Sequence, residues 1–322
     1  VVELQNRGKA EVYGCSYDKI SRFFAAYSSG DRTRSFLKVQ DGCDYKCAYC
    51  TIHYARGASR NIPIADIVKE AEEIVAAGQK EIVITGVNTG DFGRTTGEKF
   101  IDLLRALDKV EGVERYRISS IEPNLITDEI IELCASSPKF MPHFHIPLQS
   151  GSTKLLGAMR RRYTADKYRE RIQKIRELMP DSFLGVDVIV GFPGEGEEEF
   201  MESYRLLEEV GASFLHIFPF SERPGTPAVA MPNKVQSRIA TERVERLEEL
   251  SNRLHADFAR RYLGTERPVL FESTNRSGEM LGYTDNYLRV RAPYNERYIN
   301  QITTVRLIEL LDENDIRCEI VG

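Results

Sequence analysis

From Phe36 onward, short β-rich runs alternate with helical patterns six times in succession. A chain with that repeat is confined to parallel strands joined by helical crossovers, which is an α/β fold. The spacing predicts strands at Phe36 to Gln40, Glu81 to Thr85, Arg115 to Ser119, His143 to Leu148, Phe183 to Val190 and Phe214 to Phe218. Their helices are expected near 64–77, 99–107, 128–135, 165–178, 197–209 and 234–262. In the first of these, Ile67, Ile74 and Val75 recur at helical spacing and Gly78 supplies a stop. Six units fit an open doubly wound sheet or a partial barrel, and in both the chemistry gathers on loops after the carboxyl ends of the strands. Those loops hold the distinctive residues here: Asp41-Gly42-Cys43, Gly86 to Gly90, Ser120 to Asn124, Gln149-Ser150-Gly151, Gly191 to Gly194 and Ser221 to Thr226.

Past Tyr262 the periodicity changes. Residues 265–322 read as a small all-β barrel, with strands at Arg267 to Phe271, Tyr287 to Val290 and Thr304 to Ile308 broken by Ser277-Gly278 and Asp285-Asn286. Residues 33–264 form the α/β core, and 1–32 read as a lead-in without a core of its own. The start at Val1 has no initiator Met and no basic-then-apolar pattern, so it reads as a fragment or an ordered start, not a targeting segment. With 42% hydrophobic and 29% charged residues the composition excludes a disordered or fibrous protein. The longest stretch free of Asp, Glu, Lys and Arg, Phe140 to Thr153, is interrupted by Pro142, Pro147 and Gly151, so no membrane-spanning helix is expected. A cytoplasmic monomer is the expectation. The net charge of −5 neither demands nor excludes a nucleic-acid partner.

Three of the six cysteines, Cys43, Cys47 and Cys50, fall within eight residues after the first strand. They can converge on one metal centre without a distant ligand. One reading is zinc, with His53 as the fourth ligand. The other is a cubane iron–sulfur cluster, in which three thiolates leave one iron open to a substrate or cofactor. Cys15, Cys134 and Cys318 are too scattered for a local motif and read as structural. Gly191 to Gly196 is not a triphosphate loop: it lacks the Lys-Ser or Lys-Thr ending, and Glu195, Glu197, Glu198 and Glu199 would repel phosphate.

Cys43-Asp44-Tyr45-Lys46-Cys47-Ala48-Tyr49-Cys50 resembles the signature of radical S-adenosylmethionine (SAM) enzymes. The resemblance runs on through Ala55-Arg56-Gly57, Gly86 to Gly90, Ser120 to Pro123, Pro147 to Gly151, Met159-Arg160-Arg161, Asp187 to Glu195 and Phe218 to Pro227, and together these segments are similar to the methylthiotransferases over residues 33–322. Gly86 to Gly93 looks most like those acting on threonylcarbamoyladenosine. The resemblance implies a partial (β/α)6 barrel with a C-terminal TRAM domain, a 4Fe-4S cluster on Cys43, Cys47 and Cys50, and SAM chelating its open iron. It also implies a 5′-deoxyadenosyl radical that takes hydrogen from C2 of the adenine at position 37 of tRNA. A second 4Fe-4S cluster, which delivers sulfur, is expected only on an N-terminal domain that this chain lacks. His53 stands where the family usually carries proline.

For SAM, the expected contacts are Tyr49, Glu122, Gln149, Ser150, one arginine of Arg160 and Arg161, and a slot formed by Ile189, Gly191, Pro193 and Phe218. Asp187 reads equally well as strand core, and Glu122 before Pro123 as a helix cap. The implied partners are the tRNA anticodon loop and an electron donor protein. Residues 265–322 hold seven Arg and no Lys against ten Asp plus Glu, a net of −3. That acidity favours the sister reaction on an aspartate of a basic ribosomal protein, whereas Arg32 with Arg34 and Arg56 with Arg60, expected on the barrel rim, favour tRNA. A non-catalytic RNA-binding module carrying zinc is the third reading.

Overall fold

The computed structural model describes residues 23, 25–28, 33–311 and 314–321. Cys15, Arg32 and nearly all of the expected lead-in lie outside them. Six parallel strands carry the core: β1 (Arg34–Lys38), β2 (Glu81–Thr85), β3 (Arg115–Ile118), β4 (His143–His145), β5 (Phe183–Val190) and β6 (Phe214–Pro219). Strands β1 to β3 pair in chain order, as do β4 to β6. Isolated parallel bridges from Tyr116 to Phe140 and from Ser120 to His145 join the two halves. The order never reverses, so there is no topological switch point and the doubly wound alternative falls away. What remains is a partial barrel.

The helices α1 (Ile52–Arg56), α2 (Ile64–Ala76), α3 (Phe100–Asp108), α4 (Asp128–Ser136), α5 (Thr153–Ala158), α6 (Ala165–Leu178), α7 (Glu197–Glu209) and α8 (Ser237–Arg260) complete the core. Ile67, Ala71 and Ile74 form the buried stripe of α2, while Val75 is only partly buried beside it. Strand β4 is shorter than expected because Pro147 has no N–H to donate. Its bonding to β5 nevertheless continues at Ile146 and Leu148, whose amides donate to Gly185 and Asp187 at 3.0 and 3.1 Å.

Strands β7 (Glu266–Arg276), β8 (Glu279–Thr284), β9 (Arg289–Pro293), β10 (Ile302–Leu310) and β11 (Asp315–Ile320) close into a small barrel in the order β10-β11-β9-β8-β7. Cys318 lies in its core and Cys134 in the core of the larger barrel, as structural residues. The small barrel sits on the amino-terminal ends of β1 to β5. There Arg117, nearly fully buried, donates to Glu81 Oε1 at 3.0 Å and to the carbonyls of Thr284 and Asp285 at 2.8 Å each. Arg115 donates to the carbonyls of Tyr283 and Pro268. Arg34 belongs to this seam and not to the opposite rim: it pairs with Glu272 at 2.7 Å. Among the described residues no helix is long and apolar enough to cross a membrane.

Candidate active site

The loop after β1 is pinned before it reaches its cysteines. Asp41 and Arg60 exchange backbone hydrogen bonds of 3.0 and 2.8 Å, and the Arg60 guanidinium donates to Asp41 Oδ2 at 2.8 Å. Arg60 is therefore buried scaffolding, not the exposed rim charge expected of it; Arg56, half exposed, lies 3.6 Å from the same carboxylate. Gly42 has φ +75°, and a Cβ there would stand 2.0 Å from the Ala58 carbonyl oxygen, so only glycine fits. Gln40 ties this loop to the one after β2, donating to the Gly42 carbonyl at 2.8 Å and accepting from the Asn88 amide at 2.8 Å.

The far side of the cysteine loop is clamped to the carboxyl ends of the last three strands. The Ala48 amide donates to the Met159 carbonyl at 3.0 Å, and the Ala228 amide to the Ala48 carbonyl at 2.8 Å. Ala48, Leu155, Met159, Ile189, Phe192 and Ala228 form a small apolar cluster of their own, with Tyr49 and Phe220 packed against it. The loop that carries Cys43, Cys47 and Cys50 thus lies over the strand ends. Burial pushes the Cys43 thiol up to about 12 and raises Cys47 as well. Thiols held protonated in this way become thiolates when a metal cation arrives. A single tetrahedral ion draws its ligands to about 2.3 Å from itself, whereas a cluster spreads its thiolates over several iron corners.

Arg161, with its side chain 4% exposed, organises the centre of the site. It pairs with Glu122 and donates to Cys47 Sγ at 3.2 Å, to the Tyr49 hydroxyl at 3.4 Å and to the Tyr163 hydroxyl at 3.1 Å. Glu122 does not cap the 3-10 turn at Pro123–Leu125, which receives no side-chain cap; its carboxylate turns to Arg161 instead. Burial pushes the Glu122 carboxyl up from its ordinary value and the Arg161 guanidinium pulls it back. Of the arginine pair only Arg161 points inward. Arg160 is exposed at φ +60°, and Arg162 lies 3.9 Å over the Tyr45 ring.

Gln149 takes φ +64°, uncommon outside glycine, while its amide donates to the Asp187 carbonyl at 2.8 Å and its carbonyl accepts from Ile189 at 2.9 Å. The backbone is thereby fixed at the strand end. Ser150 is not part of the cleft as expected: it is fully buried, 3.4 Å from Ser203 Oγ, and accepts from the Ser152 amide, so it holds the loop against α7. Gly191, at φ +80°, spends its open side on α8, where a Cβ would come 3.0 Å from Ala240 Cβ. Its amide donates to Glu195, which pairs with Arg243 at 2.7 Å. Pro193 is buried, Ile189 belongs to the apolar cluster, and Phe218 stands 51% exposed at the end of β6.

Several polar atoms around the cysteine loop are buried with no partner: both amide atoms of Asn88, which is 3% exposed, together with Asp91 Oδ2, Asn124 Oδ1 and His53 Nδ1. Such atoms are costly unless a polar ligand or water meets them. The donor set and these orphaned atoms fit a cluster with a polar cofactor beside it. Sequence reasoning missed Arg60, Asn88 and Tyr163 as parts of the site, and also a His145–Asp187–His216 group inside the barrel. The strand alternation that places Asp187 on the interior face at the register of His216 was the available signal.

Residues 37–207 match the Radical SAM superfamily model, and the chain belongs to that superfamily. It is 44% identical over 285 residues to the threonylcarbamoyladenosine tRNA methylthiotransferase MtaB of Bacillus subtilis, covering 87% of this chain and 63% of that protein. It is 39% identical over 303 residues to the MtaB protein of Thermotoga maritima, covering 94% and 68%. A third relative, the tRNA-2-methylthio-N(6)-dimethylallyladenosine synthase of Wolinella succinogenes, is 37% identical over 307 residues, with 94% and 71% covered. These relatives narrow the family to the tRNA methylthiotransferases, and the chain spans 63 to 71% of their lengths. In fold it is similar to the radical SAM methyltransferase TsrM of Kitasatospora setae, at TM-score 0.51 and 16% identity over 76% of this chain and 42% of that one.

Proposed function

We propose that this chain is the radical-generating part of a methylthiotransferase acting on C2 of N6-threonylcarbamoyladenosine at position 37 of tRNA. The observation that carries the reading is the cysteine loop clamped over the strand ends beside the Arg161–Glu122 pair, in a chain similar over most of its length to two threonylcarbamoyladenosine methylthiotransferases. When bound, the cluster and SAM supply reductive cleavage of a sulfonium bond and the radical that follows. Cys43, Cys47 and Cys50 hold the cluster. Glu122 accepts from the SAM amino group, and Arg161 orients Glu122 while keeping a positive charge beside Cys47. Gln149, with the Gly191 to Pro193 turn, Ile189 and Phe218, borders the adenosyl slot. The apolar cluster under Tyr49 keeps water from the reacting atoms.

Sulfur would come from a second cluster on a segment outside this chain, and electrons from a donor protein. The setting is a monomer in the cytoplasm. The acidic small barrel, and the engagement of Arg34 and Arg60 in internal ion pairs, favour a second reading, methylthiolation of an aspartate on a basic ribosomal protein. One experiment separates the two. The cluster-loaded chain, given dithionite and SAM, releases 5′-deoxyadenosine without methylthiolating tRNA, and a fusion supplying the sulfur-bearing domain then adds the methylthio mass to threonylcarbamoyladenosine nucleosides. Mass gain on a ribosomal peptide and none on tRNA would replace the first reading with the second. Methylthiolation by this chain alone would overturn the two-cluster division.

A further inference from the structure

Inside the partial barrel, below the strand ends, three side chains from adjacent strands converge: His145 of β4, Asp187 of β5 and His216 of β6. Their ligand atoms all lie within 4.8 Å of one another. His145 Nε2 is 2.7 Å from Asp187 Oδ1, and the two imidazole rings stack at 4.9 Å between centroids. The ladder explains the meeting, since Asp187 and His216 are register partners and His145 faces Gly185, two residues before Asp187 on the same strand face. His145 and His216 border a cavity of about 550 Å³ that runs to the seam with the small barrel, past Phe183, Phe214 and Tyr287. Arg34 and Arg117, which also reach this cavity, lie 4.0 and 3.0 Å from Glu81. Their charge is answered there and not at Asp187.

Nothing in the proposed reaction uses this group. Two imidazoles with one carboxylate form a donor set suited to borderline divalent ions, and three protein ligands leave coordination positions open. We propose that His145, Asp187 and His216 form a divalent transition-metal site of the zinc class, with its open positions facing the cavity, where an oxygen or nitrogen donor of a bound molecule can complete it. The site is separate from the cysteine loop, and its existence does not depend on the methylthiotransferase reading.

The test uses the cluster-loaded chain, in which the cysteines are already occupied. After incubation with zinc and passage over gel filtration, elemental analysis should find one zinc per chain with the iron unchanged, and diffraction at the zinc edge should place it among the three side chains. Asp187→Asn and His216→Gln should each weaken zinc binding at least about tenfold, while His255→Gln, a change in the same cavity wall outside the trio, should leave it intact. If Asp187→Asn also loses its iron, His216→Gln decides. No zinc retained by the unaltered chain at micromolar free metal, or equal retention in His216→Gln, would overturn the proposal.

Discussion

The two ends of the partial barrel are built in opposite ways. At the amino ends of the strands, Glu81, Arg115 and Arg117 are almost completely buried, and the arginines spend their donors on carbonyls of the small barrel. At the carboxyl ends, Asn88, Asp91 and Asn124 keep buried polar atoms without partners, and Gln149 holds a left-handed backbone. Orphaned atoms occur at the seam too, at Glu81 Oε2, His143 Nδ1, Asp285 Oδ1 and Asn286 Nδ2, but there the buried arginines are spent on another part of the protein, whereas at the carboxyl ends Arg161 and Glu122 surround the cysteine loop. The difference shows that neither burial nor an orphaned polar atom alone marks a functional end; what marks it is a charged pair held beside groups able to ligate a metal.

That contrast can be broken most sharply at the cysteines. Cys47→Ala should reduce reconstituted iron from about four per chain to almost none, because two thiolates do not hold a cubane, while thermal unfolding of the chain without iron stays close to that of the parent. Full iron retention would show that the loop is not the cluster site. At the opposite end, Arg117→Ala should cost about 3 to 5 kcal/mol in urea unfolding by leaving Glu81 buried beside two stripped carbonyls, with iron binding preserved. A smaller loss, or loss of iron, would erase the distinction between the ends.

A finer comparison lies within the Arg160-Arg161 pair. Arg161→Ala should cost about 3 kcal/mol and weaken SAM binding about tenfold to a hundredfold, whereas Arg160→Ala should change stability by less than about 0.5 kcal/mol and leave SAM affinity alone. Isothermal titration of both variants reads the difference, and equal effects would reject the inward role of Arg161. The smallest effect concerns pH at the seam with the small barrel. Burial holds the His255 imidazole below its ordinary pKa, so the unfolded chain binds more protons once the pH drops beneath about 6.5, and stability falls with falling pH by up to about 1.4 kcal/mol per unit. Urea midpoints at pH 7.5 and 5.5 should diverge less in His255→Gln than in the parent; an unchanged slope would place the titration elsewhere.

Much of this was legible in the sequence. Glu81–Thr85, Phe183–Val190, Ala165–Leu178 and Glu197–Glu209 occupy the residues that periodicity predicts, because each is long or regular enough for burial alone to set its ends. Helices α1 and α5, five and six residues long, were not legible. Segments of that length are formed by the loops around them and carry no period of their own. Strands β8 and β11 were missed although their signals were present: β8 returns along β7 across the Ser277-Gly278 turn, and polar and apolar residues alternate strictly in β11 from Asp315 to Ile320, beside β10. The cysteines could be read because their ligands are local. Arg161 could not be told from Arg160, since the choice rests on the left-handed turn at Arg160, a backbone event that no side-chain pattern announces.

The strands of the two three-stranded halves of the barrel pair, among the described residues, only through isolated bridges, at Tyr116 with Phe140 and at Ser120 with His145, while a shared core and Arg171 on Asp128 hold the halves together behind them. Mechanically this is a joint between two jaws. Glu122 and the cysteine loop ride on one jaw, Gln149 and the Gly191 turn on the other, and the Arg161–Glu122 pair is the latch across the gap. A cofactor touching both jaws would stiffen the joint without altering either half, so slowed hydrogen exchange at residues 140–146 would report its arrival from outside the pocket that holds it.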